Sequence, residues 1–177
     1  MSWWLTVLLG VLAFVGCQRP TTPQEREQSF LDRAGSAGML QARLADVALS
    51  HCVRREIYDH ARHVLEDWTD ARKALTRAAR ADDLELPSDL SEPHQEEYIR
   101  VAAARGPEFD QAYLLAAIEA DAAAVADFRE EKTSFRSETA KWAAAELPEL
   151  ERRLAAARRL AAQEESPAVR ISAATSE

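Results

Sequence analysis

The sequence has few glycines and few β-branched side chains, and this shortage narrows the possible folds. Five glycines in 177 residues favour helices over an extensive sheet. The most frequent residues are alanine, leucine, arginine and glutamate, which are good helix formers. No glycine-rich phosphate loop is present, and no serine or threonine lies in a nucleophile elbow, so hydrolase chemistry has no support. The composition predicts an all-α protein.

Charged residues are absent from the start of the chain, since the first is Arg19. The net charge of −8 therefore belongs to the part that follows. A negative surface repels nucleic acid and anionic lipid, so neither is expected as the main partner. The simplest interpretation is that this net charge keeps the protein soluble.

The uncharged start contains one apolar run, WWLTVLLGVLAFV, over residues 3–15. This run is too short for a bilayer core, which needs about 20 residues, and its length is typical of a secretory signal. It ends at Phe14-Val15-Gly16-Cys17, which resembles a bacterial lipobox with a cysteine that becomes lipidated. We therefore expect a signal peptide over residues 1–16 and a lipidated Cys17 at the head of a tether over residues 17–23. An uncleaved anchor and a buried helix remain alternatives.

The residue after the cysteine bears on localisation. In lipoproteins an aspartate at this position is associated with retention in the inner membrane, and this chain has Gln18. The resemblance thus implies the periplasmic face of the outer membrane, with the inner membrane or secretion as less favoured alternatives. If Cys17 carries lipid, Cys52 has no partner for a disulfide and is expected to be a small packed residue.

One helical stretch, Arg54 to Asp82, contains neither glycine nor proline. Its apolar residues recur at the spacing of a single helix face: Ile57, Ala61, Val64, Trp68, Ala71 and Leu75. That face requires other helices to cover it. Trp68 is expected near the centre of the core.

Further helical patterns surround this stretch. One begins at Gln24, with Gly35 and Gly38 marking a bend or a close helix contact. A short helix is expected from Glu96 to Arg105, and two long ones from about Glu108 to Lys132 and Ser134 to Glu164. Pro148 lies inside the last and predicts a kink.

These segments predict a four-helix bundle over residues 24–164, in up-down order, with the short helix in the crossover between the second and third long helices. Residues 165–177 are small and polar, and a disordered tail is expected there.

Several segments between Phe30 and Leu160 resemble one bacterial family. They read FLDRAGSAGML with LADVAL, LEDWTDARKAL, GPEFDQAYLLAAIEADAAAVADF, and ELPELERRLAAARRL. The resemblance is to the domain of unknown function 4142 family, whose members are usually secreted or lipid-anchored. It implies a ferritin-like helical bundle, and it implies no established activity.

The chain differs from that family at four positions. The family usually has a glutamate in its first helix and histidines in the second, third and fourth; here the corresponding residues are Gln41, Trp68, Asp121 and Arg153. Carboxylates with imidazoles hold metals in ferritin-like bundles. Because the imidazoles are replaced, we expect no metal at these former-site positions, no cofactor and no catalytic residue.

Two of the replacements carry opposite charge and fall on apolar helix faces. Asp121 lies between Ala117 and Ala124, and Arg153 lies between Leu150 and Ala157. A buried charge is costly unless it is paired, so a buried ion pair between Asp121 and Arg153 is our hypothesis. The alternative is that both side chains extend to solvent.

A second polar stripe runs beside the apolar face of the central stretch. Glu56, His60, His63 and Asp67 recur at helical spacing and are weak candidates for metal ligands. Such a stripe is more often a solvated face with charge pairs, and that interpretation is preferred.

The sequence therefore favours a non-catalytic lipoprotein of the bacterial cell envelope, a helical interaction or structural module. It would attach to the membrane through lipid and bind an unknown envelope protein. The first alternative is a metal-binding ferritin-like protein or metal-dependent oxidoreductase, by analogy of fold alone. The second is a carrier of a small ligand, which would need a large pocket lined by Trp68 and Trp142.

Overall fold

All regular structure in the described part of the chain is α-helical. The computed structural model describes residues 22–134 and 137–164, and they contain helices but no strand. The helices are α1 (Pro23–His51), α2 (Arg55–Ala81), α3 (Glu92–Ala103), α4 (Gly106–Ser134) and α5 (Glu138–Glu164). The prediction of an all-α protein is confirmed. The expected signal peptide, Cys17, nearly all of the tether and the tail lie outside the described residues.

Helix α1 begins with a complete set of start signals and then passes two glycines without a break. Thr22 accepts a hydrogen bond from the backbone N–H of Glu25, whose side chain accepts one from Thr22, and Pro23 occupies the first turn. This capping box satisfies two otherwise free N–H groups. The helix continues through Gly35 and Gly38 to His51.

Both glycines of α1 allow another part of the chain to approach closely. A Cβ atom at Gly38 would lie 2.0 Å from Cζ3 of Trp68, and one at Gly35 would lie 2.7 Å from Cγ of Pro87. These distances are far below van der Waals contact. The close contact, one of the two roles expected for these glycines, is present at both.

Helix α2 is tied at each end to the start of another helix. Before its first turn, the backbone N–H groups of Val53 and Arg54 donate to the carboxylate of Asp110 in α4, at 3.0 and 3.1 Å. After its last turn, Asp82 accepts from the backbone of Glu138 and Thr139 at the start of α5, at 3.1 and 2.7 Å. These side chains satisfy N–H groups that have no partner within their own helix.

Two apolar clusters lie at opposite ends of the helical bundle. The first cluster includes residues of all four long helices: Phe30, Leu31, Leu75, Ala79, Val125, Phe128, Trp142, Leu147 and Leu150. The second cluster is built from α1, α2 and α4, through Leu40, Leu44, Ile57, Val64, Phe109, Tyr113 and Leu114, and α5 packs against its edge through Leu160 and Ala161. Each long helix therefore runs the length of the bundle.

The order in which each helix meets the clusters gives its direction. Helices α1 and α5 pass from the first cluster to the second, whereas α2 and α4 pass from the second to the first. The long helices thus run up, down, down, up, with α1 and α5 each packed between α2 and α4. The simple up-down order predicted from the sequence is wrong, because α2 and α4 are parallel and residues 82–105 must return along the bundle.

The helix within that return is α3, Glu92–Ala103, which begins and ends earlier than expected. Pro93 occupies its first turn, a position that proline suits. Helix α4 likewise begins earlier, at Gly106, whose φ of +59° is a left-handed conformation that glycine adopts without strain. No helix among residues 22–134 and 137–164 has the length and apolarity needed to cross a membrane.

Candidate functional site

A polar layer lies between the two apolar clusters and receives one of the four former-site positions from each long helix. Gln41 comes from α1, Trp68 from α2, Asp121 from α4 and Arg153 from α5. All four residues line the same small cavity. The structure therefore brings together the four positions that the family resemblance singled out.

Asp121 and Arg153 form an ion pair inside this layer. The Arg153 Nε donates to both carboxylate oxygens of Asp121, at 3.1 and 3.0 Å, and Nη2 donates to Oδ1 at 2.5 Å. The side chains are 1% exposed for Asp121 and 11% exposed for Arg153. The two charges are thus paired in the interior, and neither extends to solvent as the alternative required.

Gln41 completes the network around the carboxylate. Its Nε2 donates to Oδ1 of Asp121 and to the backbone carbonyl of Ala117, both at 3.1 Å. The amide group is buried with the rest of its side chain, which is 2% exposed. Three helices are joined by one set of hydrogen bonds, and Asp121 is at its centre.

More than one carboxylate lies within the electrostatic reach of Arg153. Burial raises the pKa of Asp121, and the hydrogen bonds and charge of Arg153 oppose that rise. Burial also raises the pKa values of Asp67 and Glu146, and Arg153 again acts in the opposite direction. The guanidinium therefore favours the ionised form of three carboxyl groups from three different helices.

The cavity beside this network has a volume of about 30 Å³. Two buried atoms in its lining residues, Oε1 of Gln41 and Nε1 of Trp142, have no hydrogen-bond partner among the described residues. The volume is about that of one water molecule. It is far below the roughly 300 Å³ of a small-ligand pocket, so the large cavity that a ligand carrier would need between Trp68 and Trp142 is not found here.

The donor set of this layer does not fit a metal ion. Asp121 is the one carboxylate among the four positions, and its oxygens accept hydrogen bonds from Arg153 and Gln41. Trp68 offers no lone pair for coordination, and a guanidinium repels a cation. The chemistry of these four side chains is that of a closed internal ion pair.

His60 departs from the expected solvated stripe. It is 8% exposed, and its Nδ1 lies 3.0 Å from the hydroxyl of Tyr113. Burial lowers the pKa of His60 to about 4, and the nearby charge of Arg153 adds to the effect. Burial also raises the pKa of Tyr113. The interpretation as a solvated face is wrong at His60, because α4 packs Tyr113 against it, and both side chains are neutral at pH 7.

The stripe of Glu56, His60, His63 and Asp67 lines one side of a groove between α2 and α5, with a volume of about 410 Å³. The other side is formed by α5, through Glu149, Arg152, Arg153, Ala156, Arg159, Leu160 and Gln163. Among the residues that the structure describes, no three His, Cys, Asp or Glu side chains are grouped so as to hold a metal ion. The sequence did not predict that residues of α5 line this groove, because nothing in it shows which helix packs against α2.

A third polar group connects α1 with the start of α3. The Ser36 Oγ lies 2.6 Å from Nδ1 of His94 and accepts a hydrogen bond of 2.8 Å from the backbone N–H of Ser91. Ser36 is 2% exposed. This group holds the crossover against α1.

Residues 16–160 match the family described as domain of unknown function (DUF4142). The chain belongs to the DUF4142 family. The match spans all four former-site positions of this DUF4142 protein, and the family description carries no activity. No curated protein and no solved structure matches the chain.

Proposed function

We propose that this DUF4142 protein is a non-catalytic lipoprotein of the bacterial cell envelope, with a ferritin-like four-helix bundle that serves as a structural or interaction module. The observation that carries the proposal is the buried network of Gln41, Asp121 and Arg153. It commits the central carboxylate to an internal ion pair. A centre of this kind favours a scaffold role, because its carboxylate is already held by Arg153 and Gln41.

The helix directions support the ferritin-like part of the proposal. Ferritin-like bundles have one long crossover connection among four helices. Here residues 82–105 form such a connection between the parallel helices α2 and α4. Fold alone does not establish function, so the non-catalytic role depends on the side chains of the polar layer.

The envelope location is supported by the start of the sequence. Cys17 follows the apolar run and precedes α1, which begins at Pro23. A tether of this length would keep the bundle near the membrane, with the first cluster at its nearer end. Gln18 favours the periplasmic face of the outer membrane, where an unknown envelope protein would be the partner.

The anchor is tested by labelling cells with a fatty-acid analogue and comparing the full chain with a Cys17→Ser variant. We expect label and membrane association in the parent chain and loss of both in the variant. A Cys52→Ser variant is the matched control and should keep both. Equal labelling of the parent and of Cys17→Ser would refute the lipoprotein assignment.

The scaffold role is tested by metal analysis of the purified full chain. We expect no stoichiometric iron, manganese or zinc. Stoichiometric metal that disappears in a His60→Phe, His63→Phe double variant would instead support the alternative of a metal-binding protein or metal-dependent oxidoreductase. Crosslinking in the native envelope then identifies the partner.

A further inference from the structure

A separate groove, the α4–α5 groove, lies between α4 and α5 and is open to solvent. Its volume is about 520 Å³, which falls within the range of ligand-binding sites, about 300–1,000 Å³. The buried side chains of Val125 and Leu154 line it. Ala122 and Ala155 also line it, and they leave space between the helices because each side chain is only a methyl group. The α4–α5 groove is therefore an apolar depression in the surface.

The charged side chains of the α4–α5 groove are mainly basic. Arg129 pairs with Glu151, and its Nη2 donates to Oε1 at 2.6 Å. Arg158 and Arg159 are exposed, and neither makes an ion pair or a hydrogen bond with the described residues. Three arginines and one carboxylate thus line the groove. Two positive charges remain without a partner among the described residues, in a chain whose net charge is −8.

The acidic residues closest to this groove in sequence do not cancel that charge. On α5, no Asp or Glu occurs between Glu151 and Glu164. The acidic residues of α4 between Leu115 and Arg129 all lie near arginines of other helices: Glu119 near Arg100, Asp121 with Arg153, and Asp127 with Arg33. The groove on the α2 side contains both Arg159 and Glu56, and Glu56 lies 4.0 Å from Arg54.

The unpaired arginines lie toward the second cluster. Leu160, which follows Arg159, packs against that cluster, whereas Phe30, near the start of α1, belongs to the first. With the tether at the start of α1, both arginines would be at the end of the bundle farther from the membrane. A membrane or a nucleic acid also covers a wide area and would meet the acidic remainder of the surface. A short peptide segment would contact the groove alone.

We propose that the α4–α5 groove binds a short acidic segment of a partner protein. Its carboxylates lie on Arg158 and Arg159, and an apolar side chain of the segment packs against Ala122 and Ala155. A guanidinium binds a carboxylate through two parallel N–H···O hydrogen bonds, so two unpaired arginines select a partner of this chemistry. The inference rests on the proposed role as an interaction module, and it adds the chemical class of the partner.

The chemistry of the segment is tested by NMR chemical-shift titration of the full chain in detergent. The probe is the peptide acetyl-Glu-Glu-Leu-Glu-Glu-amide. Two comparison peptides replace all four glutamates by glutamine or the leucine by glycine. We expect saturable shifts of backbone amides at residues 122–125 and 154–159. Binding should be about tenfold weaker or more for the glutamine peptide, which lacks the charge-assisted contacts, and also weaker for the glycine peptide.

The position of the site is tested by two double variants that change the net charge equally. Arg158→Gln with Arg159→Gln should weaken the glutamate peptide by about tenfold or more and leave the glutamine peptide unchanged. The control is Arg62→Gln with Arg72→Gln, at exposed positions of α2, which should leave both peptides unchanged. Equal losses in the two double variants would show a long-range effect of net charge and reject the groove.

The apolar depression is tested by Ala155→Leu, which fills it. This variant should weaken the leucine-containing glutamate peptide, whereas Ala162→Leu, at an exposed position of the same helix, should not. All substituted side chains are exposed, and thermal unfolding verifies that each variant is folded. Equal affinity of Ala155→Leu and the parent chain would contradict the assigned contact.

Anionic lipid is tested by adding phosphatidylglycerol to the detergent micelles, which should leave the amides of the groove unshifted. Shifts of these amides that disappear in Arg158→Gln with Arg159→Gln would assign the groove to lipid and overturn the proposal. Absence of saturable shifts with the glutamate peptide, or equal affinity for the glutamate and glutamine peptides, would also overturn it. Lipid labelling and metal content do not depend on these arginines, so failure here is distinguishable from failure of the proposed function.

Discussion

At the scale of single residues, Arg153 has the largest expected effect on stability. Its guanidinium holds Asp121 through three hydrogen bonds and acts on the pKa values of Asp67 and Glu146. Removal of one partner from a buried pair is costly because the other charge remains in the interior. Arg152, its neighbour in sequence, is an exposed residue paired with Glu149.

The first prediction compares these two arginines. Arg153→Met should lower the free energy of unfolding at pH 7 by about 3–5 kcal/mol, because Asp121 loses its counter-charge. Arg152→Met should cost less than about 1 kcal/mol, as exposed ion pairs do. Urea unfolding measures both. Adding Asp121→Asn to Arg153→Met should recover part of the loss. Equal losses for Arg153→Met and Arg152→Met would show that the buried pair is not what stabilises the layer.

At the scale of helices, contacts between elements depend on a few small or acidic residues. Gly38 lets α1 approach the ring of Trp68 on α2, and Asp110 of α4 caps the start of α2. Both are tertiary contacts between helix surfaces and ends. Helix propensity alone does not predict them, since glycine is unfavourable within an isolated helix.

The second prediction concerns Gly38→Ala. Alanine is the better helix former, yet we expect a loss of roughly 1–3 kcal/mol of stability, because the added methyl overlaps the Trp68 ring. In a Trp68→Ala background the same change should be neutral or stabilising. A stabilising effect of Gly38→Ala in the parent chain, measured by thermal unfolding, would mean that the ring moves away at little cost.

The third prediction concerns the cap that α4 supplies to α2. Asp110→Ala leaves the backbone N–H groups of Val53 and Arg54 without their carboxylate, and we expect a loss of about 1–2 kcal/mol. Asp46→Ala, at an exposed position of α1, is the control and should change stability by less than about 0.5 kcal/mol. Hydrogen exchange should show faster opening at the first turn of α2 in Asp110→Ala alone.

At the scale of the whole molecule, two buried titratable groups, His60 and Glu131, change the free energy of unfolding with pH in opposite directions. Burial lowers the pKa of His60 from 6.5 to about 4 on folding. Between these two pH values the unfolded chain binds a proton at His60 and the folded chain does not. The pKa of Glu131 rises from 4.5 to about 7 through burial and the nearby charge of Glu27. Between pH 4.5 and 7 the folded chain keeps the proton on Glu131, whereas the unfolded chain loses it.

The fourth prediction follows from the signs of these shifts. The His60 contribution is fully present above pH 6.5 and is lost as pH falls toward 4, by roughly 2–3 kcal/mol. The Glu131 contribution is fully present below pH 4.5 and is lost as pH rises through 7. Relative to the parent chain, His60→Phe should gain stability as pH falls, and Glu131→Gln should gain stability as pH rises.

Urea unfolding of the parent and both variants from pH 4 to pH 8 measures these differences. His63→Phe, at an exposed position of the same stripe, is the control for His60→Phe and should track the parent chain. Parallel pH profiles for the parent and His60→Phe would show that His60 titrates freely in the folded protein.

Much of the architecture follows from the sequence alone. The glycine-free and proline-free stretch predicted α2 to within a residue at each end, since its periodicity, charge and lack of breakers all favour one helix. The family resemblance identified four positions that lie in one layer. Helix identity, the family and the site positions are local properties, or properties of recurring segments, and they can be predicted without knowledge of packing.

Other features were decided only by the tertiary structure. Periodicity shows that a helix has an apolar face, but it does not show which helix covers that face or in which direction. The parallel arrangement of α2 and α4, the burial of His60 under Tyr113 and the groove shared with α5 all depend on that choice. The sequence determined the helices and the charges on their inner faces. The packing of α4 and α5 against α2 decided which of those charges are paired, because pairing requires contact between residues that are distant in the chain.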